Sequence, residues 1–219
     1  EIVVAANHDI PTLINLEDIA GDLHTHTDYD WPSSHDYGFS IHNMLKKAGA
    51  KKYSWIGIGD HQPSRNAQNQ TNSVALIRDR KQWITKQYQT SENKVKNNVN
   101  IFIILEIDIQ KDGQLPLPEK AIKLLDVTIV SLHSSFGLSH DQQTQRILKA
   151  LKHPHVHIFA HPTGRLINRR PSVQANWDAI FNYCAKNKIA LEINANPNRL
   201  DLPDSLVKAA KKAGCKFSL

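Results

Sequence analysis

Short apolar runs recur along the chain, each ending in a polar or charged residue and each followed by a stretch with helical signals. The first enters through Ile19 and Ala20 into residues 21–27; the others cover 53–59, 101–105, 127–132, 156–160, 189–193 and 215–219. Runs of this length without strict alternation are what strands buried on both faces require. Between them, Ser40 is placed to cap a helix carried by Ile41, Met44, Leu45 and Ala48 and closed by Gly49. A long polar helix is predicted over about 73–96, and Pro118 opens a short one after the Asp112-Gly113 turn. Further helices are predicted over 140–151, 177–185 and 206–213, the last stopping at Gly214. Strand and helix therefore alternate about seven times, which predicts an α/β fold with a parallel sheet.

Composition narrows this in a few respects. A chain of 219 residues accommodates one α/β barrel or two small domains. No run approaches the roughly 18–20 apolar residues of a membrane-spanning helix, and residues 1–6 are too short for a signal segment. Cys184 and Cys215 lie far apart and outside any Cys-x-x-Cys pattern, so they are expected to be packed thiols, suited to a reducing cytoplasm. The net charge of +6 permits a phosphate-bearing partner without naming one, and most of the cationic runs, 78–81 among them, read as solvated helix faces. Residues 1–18 read as a lead-in; the start without Met and the acidic Glu17-Asp18 suggest a domain cut from a longer polypeptide.

The twelve histidines change the picture most, because of where they fall. His24 and His26 stand two apart at the end of the first strand, so their rings share a face and can grip one metal ion from one side. His61, Glu106, His133 and His161 each occupy the same place, the C-terminal end of a predicted strand. In a β/α barrel those ends converge on one rim, where sites form. Charged and polar groups at the end of apolar strands are costly unless paired or metal-bound, and several histidines sharing a carboxylate would hold more than one divalent ion. Three other histidines, His153, His155 and His157, imitate a metal tract; His157 is expected to face the core and the other two the surface.

Gly-Asp-Leu-His-Thr-His at 21–26, Gly-Asp-His at 59–61, Leu-His-Ser at 132–134 and Ala-His-Pro-Thr-Gly-Arg at 160–165 resemble the motifs of the polymerase and histidinol phosphatase (PHP) superfamily. Leu-Glu-Ile-Asn-Ala-Asn-Pro at 191–197, with Arg199 and Asp201, is similar to one branch, the C-terminal PHP domain of bacterial family X DNA polymerases, and residues 16–22 resemble the join to the polymerase part. The resemblance implies a distorted seven-stranded TIM-like (β/α) barrel over 19–219, with its last strand truncated, and two to three divalent ions, Mn2+, Zn2+ or Fe2+. It assigns His24, His26 and Glu106 to one ion, with Glu106 bridging to a second held by His133 and His161, and Asp36 and His61 to a third. Asp36 is placed by its spacing to Gly38 and Ser40; His35, Asp30 and Asp28 are its rivals in the same loop. The family continues the last strand into an Asp-x-His motif with ligands for the first and third ions, and this sequence reaches Leu219 before that motif.

The implied activity is phosphoester hydrolysis at DNA 3′ ends, as a 3′–5′ exonuclease or 3′-phosphatase working beside a polymerase domain of the same polypeptide in the bacterial cytoplasm, away from membranes. Arg165 or Arg170 is expected to hold the phosphate. Asn194 and Asn196 are candidates for orienting substrate or for hydrogen bonding at the strand end, Asp22 for orienting a histidine or capping the turn, and Trp31 and Tyr37 for stacking on a base or packing in the loop. Two rivals remain: a free small-molecule phosphatase of the histidinol-phosphate kind, and a non-catalytic module that holds DNA or serves structure.

Overall fold

The computed structural model describes residues 2–8, 12–31, 38–63, 70–91 and 98–219, with side chains from 73 onward in the segment that begins at 70. Seven parallel strands pair in chain order: β1 (Gly21–Thr25), β2 (Trp55–Ile58), β3 (Asn100–Asp108), β4 (Val127–Ser131), β5 (Ile158–Phe159), β6 (Ala190–Glu192) and β7 (Phe217–Ser218). Among the described residues no ladder joins β7 to β1, so the curled sheet is open along that edge. A short exposed helix, α1 (Ile2–Ala6), precedes the sheet. The other helices follow as crossovers: α2 (Ile41–Ala50), α3 (Gln70–Thr90), α4 (Glu119–Ile122), α5 (His140–Leu151), α6 (Trp177–Asn187) and α7 (Asp204–Lys212). None is long and apolar enough to cross a membrane among the described residues.

The expected alternation is present, and the boundaries move. Helix α2 runs through Gly49 to Ala50, because the first-turn bond from Asn43 N–H to Ser40 Oγ sets its start and no left-handed residue stops it at Gly49. Helix α3 begins at Gln70 and ends at Thr90, six residues before the expected stop; residues 92–97 lie outside the described ones. It is also less polar in effect than its composition, since Ile77, Arg80 and Ile84 are all fully buried. Arg80 therefore corrects the reading of 78–81 as a solvated face. His157 is a second correction: it is exposed, with Nδ1 accepting from the Thr128 N–H.

Strand parity explains how one sheet carries both core and chemistry, since successive side chains point to opposite faces. On β3, Ile103, Leu105 and Ile107 pack outward under the helices, while Ile104 joins Ile129, Ile158 and Ala160 in a small aliphatic cluster inside the curl. Glu106 and Asp108 continue that inner row toward the C-terminal rim, and Glu192 does the same after Ala190 on β6. The two cysteines are buried and unpaired, as expected, and burial pushes the Cys184 thiol up to about 12. Native protein at pH 8 should accordingly leave Cys184 unlabelled by a thiol reagent, the thiolate being about one part in ten thousand, with labelling after denaturation. Rapid native labelling would contradict the packing described.

Candidate metal centre

Glu106 is the hub. Its carboxylate is about 1% exposed, and five imidazoles surround it. Oε2 lies 2.9 Å from His61 Nδ1, 3.3 Å from His24 Nε2 and 3.9 Å from His26 Nε2, whereas Oε1 lies 2.8 Å from His161 Nε2 and 3.3 Å from His133 Nε2. Burial alone would raise the Glu106 carboxyl, but His24, His161 and His61 together hold it well below the usual carboxylate range. Burial likewise opposes protonation of His24, and Glu106 and Glu192 overcome it and hold that ring well above its ordinary value. His161, where burial dominates, is lowered.

Each ring reaches the hub by a different local device. On β1 the register with β2 shifts between Asp22 and Thr25, and the His24 N–H donates to Asp22 Oδ1 at 2.9 Å, so Asp22 braces the backbone at that irregularity. His24 and His26 then present rings with centroids 5.2 Å apart to the same cavity. By strand parity His161 should point away from the inner row that holds Ile158 and Ala160. Its backbone instead turns left-handed, with φ +28°, and this swings the ring inward. His61 follows Asp60, whose Oδ2 receives Arg80 Nε at 2.8 Å and Thr27 Oγ1 at 2.9 Å, with Oδ1 receiving the Thr27 N–H. Arg80 also donates to the carbonyls of Ile104 and Ile58, bolting β2 to β3 beneath the hub.

Two carboxylates absent from the expected set orient the rings from behind. Glu192 Oε1 sits 2.6 Å from His24 Nδ1, and its Oε2 receives the His161 N–H, also at 2.6 Å. Asp108 Oδ1 sits 2.7 Å from His133 Nδ1. A carboxylate holding Nδ1–H leaves the Nε2 lone pair facing the cavity, the arrangement in which imidazoles bind metals. Both residues were within reach of the sequence: Glu192 ends an apolar strand as Glu106 does, and Asp108 stands two positions beyond Glu106 on the same strand face.

The donor set fits divalent ions. His24, His26 and Glu106 bring one ligand atom each within 4.8 Å of one another, and so do His61, Glu106 and His133. One deeply buried ring nitrogen, His161 Nδ1, has no hydrogen-bond partner among the described residues, a cost that coordination would remove. The first grouping is the one the family resemblance assigns; the second joins His61 to His133, where the resemblance joins His133 to His161. Asp36, with His35 and Tyr37, lies outside the described residues. Trp31 is buried against Arg80, its ring 5.6 Å from the guanidinium, and serves packing.

The cavity above the hub has a volume of about 830 Å³ and is lined mainly by these rings, by Asp22, Asp108 and Glu192, and by Asn194, Asn196 and Arg199. Arg165 and Arg170 are not among the residues that line this cavity, and both bind main chain nearby. Arg165 donates through Nε to Arg199 O at 2.7 Å and through Nη2 to Leu200 O. Arg170 stacks on Phe136 at 3.8 Å from the ring centroid and donates through Nε to Gly164 O at 2.7 Å.

No family model matches the chain. It is similar to the DNA polymerase/3′-5′ exonuclease PolX of Bacillus subtilis, 34% identical over 202 residues that make up 92% of this chain and 34% of the relative. A probable phosphatase of Citrobacter koseri is 27% identical over 79% of this chain and 63% of its own length. A probable phosphatase of Clostridium acetobutylicum is 27% identical over 90% of this chain and 76% of its own length. The chain thus spans about a third of the polymerase and somewhat less than two thirds of the first phosphatase.

Proposed function

Because the chain is a PHP-type relative of the bacterial family X DNA polymerases, we propose that it is a metal-dependent phosphoesterase domain acting on DNA 3′ ends as a 3′–5′ exonuclease or 3′-phosphatase. Residues 1–18 are then the join to a polymerase region of the same cytoplasmic polypeptide. The observation that carries the reading is Glu106 ringed by five imidazoles at the floor of an open, polar cavity. Five imidazoles share that one buried carboxylate, and two of them, His24 and His133, are oriented by the carboxylates of Glu192 and Asp108.

His24, His26 and Glu106 would hold one ion and His61, Glu106 and His133 another, with His161 completing the ring around Glu106 and Asp36 a candidate for a third ion. Bound there, divalent ions would activate water and offset charge on the phosphoryl oxygens. The chain's own groups do the rest. Glu106 supplies the negative charge that keeps cations at the hub, and Glu192 and Asp108 fix the tautomers of His24 and His133. The Asn194–Arg199 loop forms the polar wall beside the reacting phosphate. Hydrolysis then adds the oxygen of water to phosphorus and releases the sugar hydroxyl.

The test is digestion of a 3′-labelled single-stranded oligonucleotide with Mn2+ present, using the full-length polypeptide and its His133→Ala variant. Expected is release of the terminal label, slowed at least about a hundredfold in the variant, the scale on which even supporting groups of metal sites act. The names of the phosphatase relatives favour a second reading, a free small-molecule phosphatase. Turnover of phosphate monoesters with the oligonucleotide untouched would select it, and inertness toward both would leave a structural module.

A further inference from the structure

We propose that Arg199 is the anion-binding group of the cavity, donating to a nonbridging phosphoryl oxygen, and that Arg165 is a positioning residue that acts through it. This rests on the phosphoester reading and names the protein group that meets the phosphate. Arg199 is the only Lys or Arg lining the cavity among the described residues, a cavity that also carries the carboxylates of Asp22, Glu106, Asp108 and Glu192. Its Nη1 is buried and has no hydrogen-bond partner among the described residues. A buried guanidinium donor without an acceptor carries an uncompensated desolvation penalty, larger because the group is charged. A phosphoryl oxygen arriving in the cavity would remove that cost.

The backbone beneath Arg199 is built to hold it. From Glu192, which orients His24, Asn194 Nδ2 donates to Oε2 at 3.2 Å. The N–H of Asn196 donates to Asn194 Oδ1, and the N–H of Asn198 to Asn196 Oδ1. Arg199 N–H then closes on Asn196 O at 2.7 Å. From the other side the Arg165 fork grips Arg199 O and Leu200 O. Arg165 thus uses its guanidinium to fix main chain, and the side chain it sets in place is the one that reaches the cavity. The same ladder ties the anion site to the metal hub through Glu192, so a phosphate held by Arg199 is registered against the histidine cluster. The Asn residues serve the loop rather than the substrate directly.

The experiment is titration of inorganic phosphate into the Mn2+-loaded full-length protein, followed by calorimetry, with metal content and thermal unfolding measured on every variant. Arg199→Ala should weaken phosphate about 10- to 100-fold, the range for one charge-assisted donor pair. Added guanidinium ion should restore part of the loss. Arg199→Lys, which keeps charge without the fork, should fall between the two. Arg165→Ala should weaken phosphate less and should not respond to guanidinium, whereas Arg169→Ala, an exposed neighbour, should match the parent. Phosphate affinity in both Arg199 variants within twofold of the parent, at unchanged metal content, would overturn the proposal, as would a parent protein that does not bind phosphate. Arg199-dependent phosphate binding in a protein that hydrolyses no ester would keep this site and discard the hydrolase reading.

Discussion

Glu106→Gln should abolish turnover and weaken divalent-metal binding by well over a hundredfold, the largest functional effect expected of any single substitution in this chain. The reason is its position rather than its charge alone. One carboxylate stands within 3.9 Å of five ring nitrogens, and both three-residue ligand groupings pass through it. Losing an orienting carboxylate behind a ligand typically costs 10–100-fold in metal affinity or activity, and Glu106 is shared by two groupings. The amide keeps the volume but can offer only one oxygen, and its NH2 would face histidine nitrogens that need to be acceptors toward metal. Metal analysis after dialysis against a weak chelator, paired with an oligonucleotide digestion, checks the expectation. Asp108→Asn makes the informative contrast, since it leaves both groupings in place and removes only the support of His133 Nδ1. Its loss should stay within the 10–100-fold range. Equal metal content in parent and Glu106→Gln would sink the hub assignment.

The second large effect concerns stability. Arg80→Ala should destabilise the fold by roughly 3–5 kcal/mol, the scale for breaking one partner of a buried ion pair, and lower the melting temperature by about 10 °C or more. Arg80 is fully buried and each of its guanidinium nitrogens is engaged: Nε and Nη2 on Asp60 Oδ2, Nη1 on Ile104 O and Nη2 on Ile58 O. Removing it strands the Asp60 carboxylate, which is also buried, and leaves two strand carbonyls unanswered. Arg80→Lys should recover little, because a point-charge ammonium cannot span three acceptors in a plane. The double substitution Asp60→Leu with Arg80→Met should cost less than the sum of the single losses, since it removes the stranded charge along with the bond. Thermal or urea unfolding of the parent, Asp60→Leu, Arg80→Met and the double variant decides this, and additive losses would show that the pair is not coupled. Because Asp60 also receives Thr27 and precedes His61, the single variants should lower metal affinity as well, through slackening at the rim.

How much of this was legible beforehand depends on the range of the interaction. The run from Ile101 to Leu105 announces a buried strand, and the charged Glu106 at its end announces a site, because both signals lie in consecutive residues. The same holds for His24 with His26, whose shared face needs only the two-residue period. The helix ends are less legible. Gly49 marks a stop in the sequence, yet the helix runs through it to Ala50 without a left-handed residue there. His157 was expected in the core on strand pattern, but β5 is formed only by Ile158 and Phe159, so His157 precedes it and stays in solvent.

The sequence by itself determined the alternation of strand and helix, the parallel seven-stranded sheet and the placing of His24, His26, His61, Glu106, His133 and His161 at strand ends. Those features depend on backbone preference and on apolar burial, which act over a few residues. Only the tertiary structure decided which groups meet. The Glu192 carboxylate reaches His24 across 168 positions of chain, and Asp108 reaches His133 across 25. Arg80 turned from a surface cation into a buried bolt once α3 lay across β2 and β3. His161 comes inward only through a left-handed backbone, and Arg199, whose carbonyl Arg165 holds, is the arginine that lines the cavity among the described residues. Such pairings are set by where the curl of the sheet brings distant strand ends together, and the geometry of that curl has no local signature in the chain.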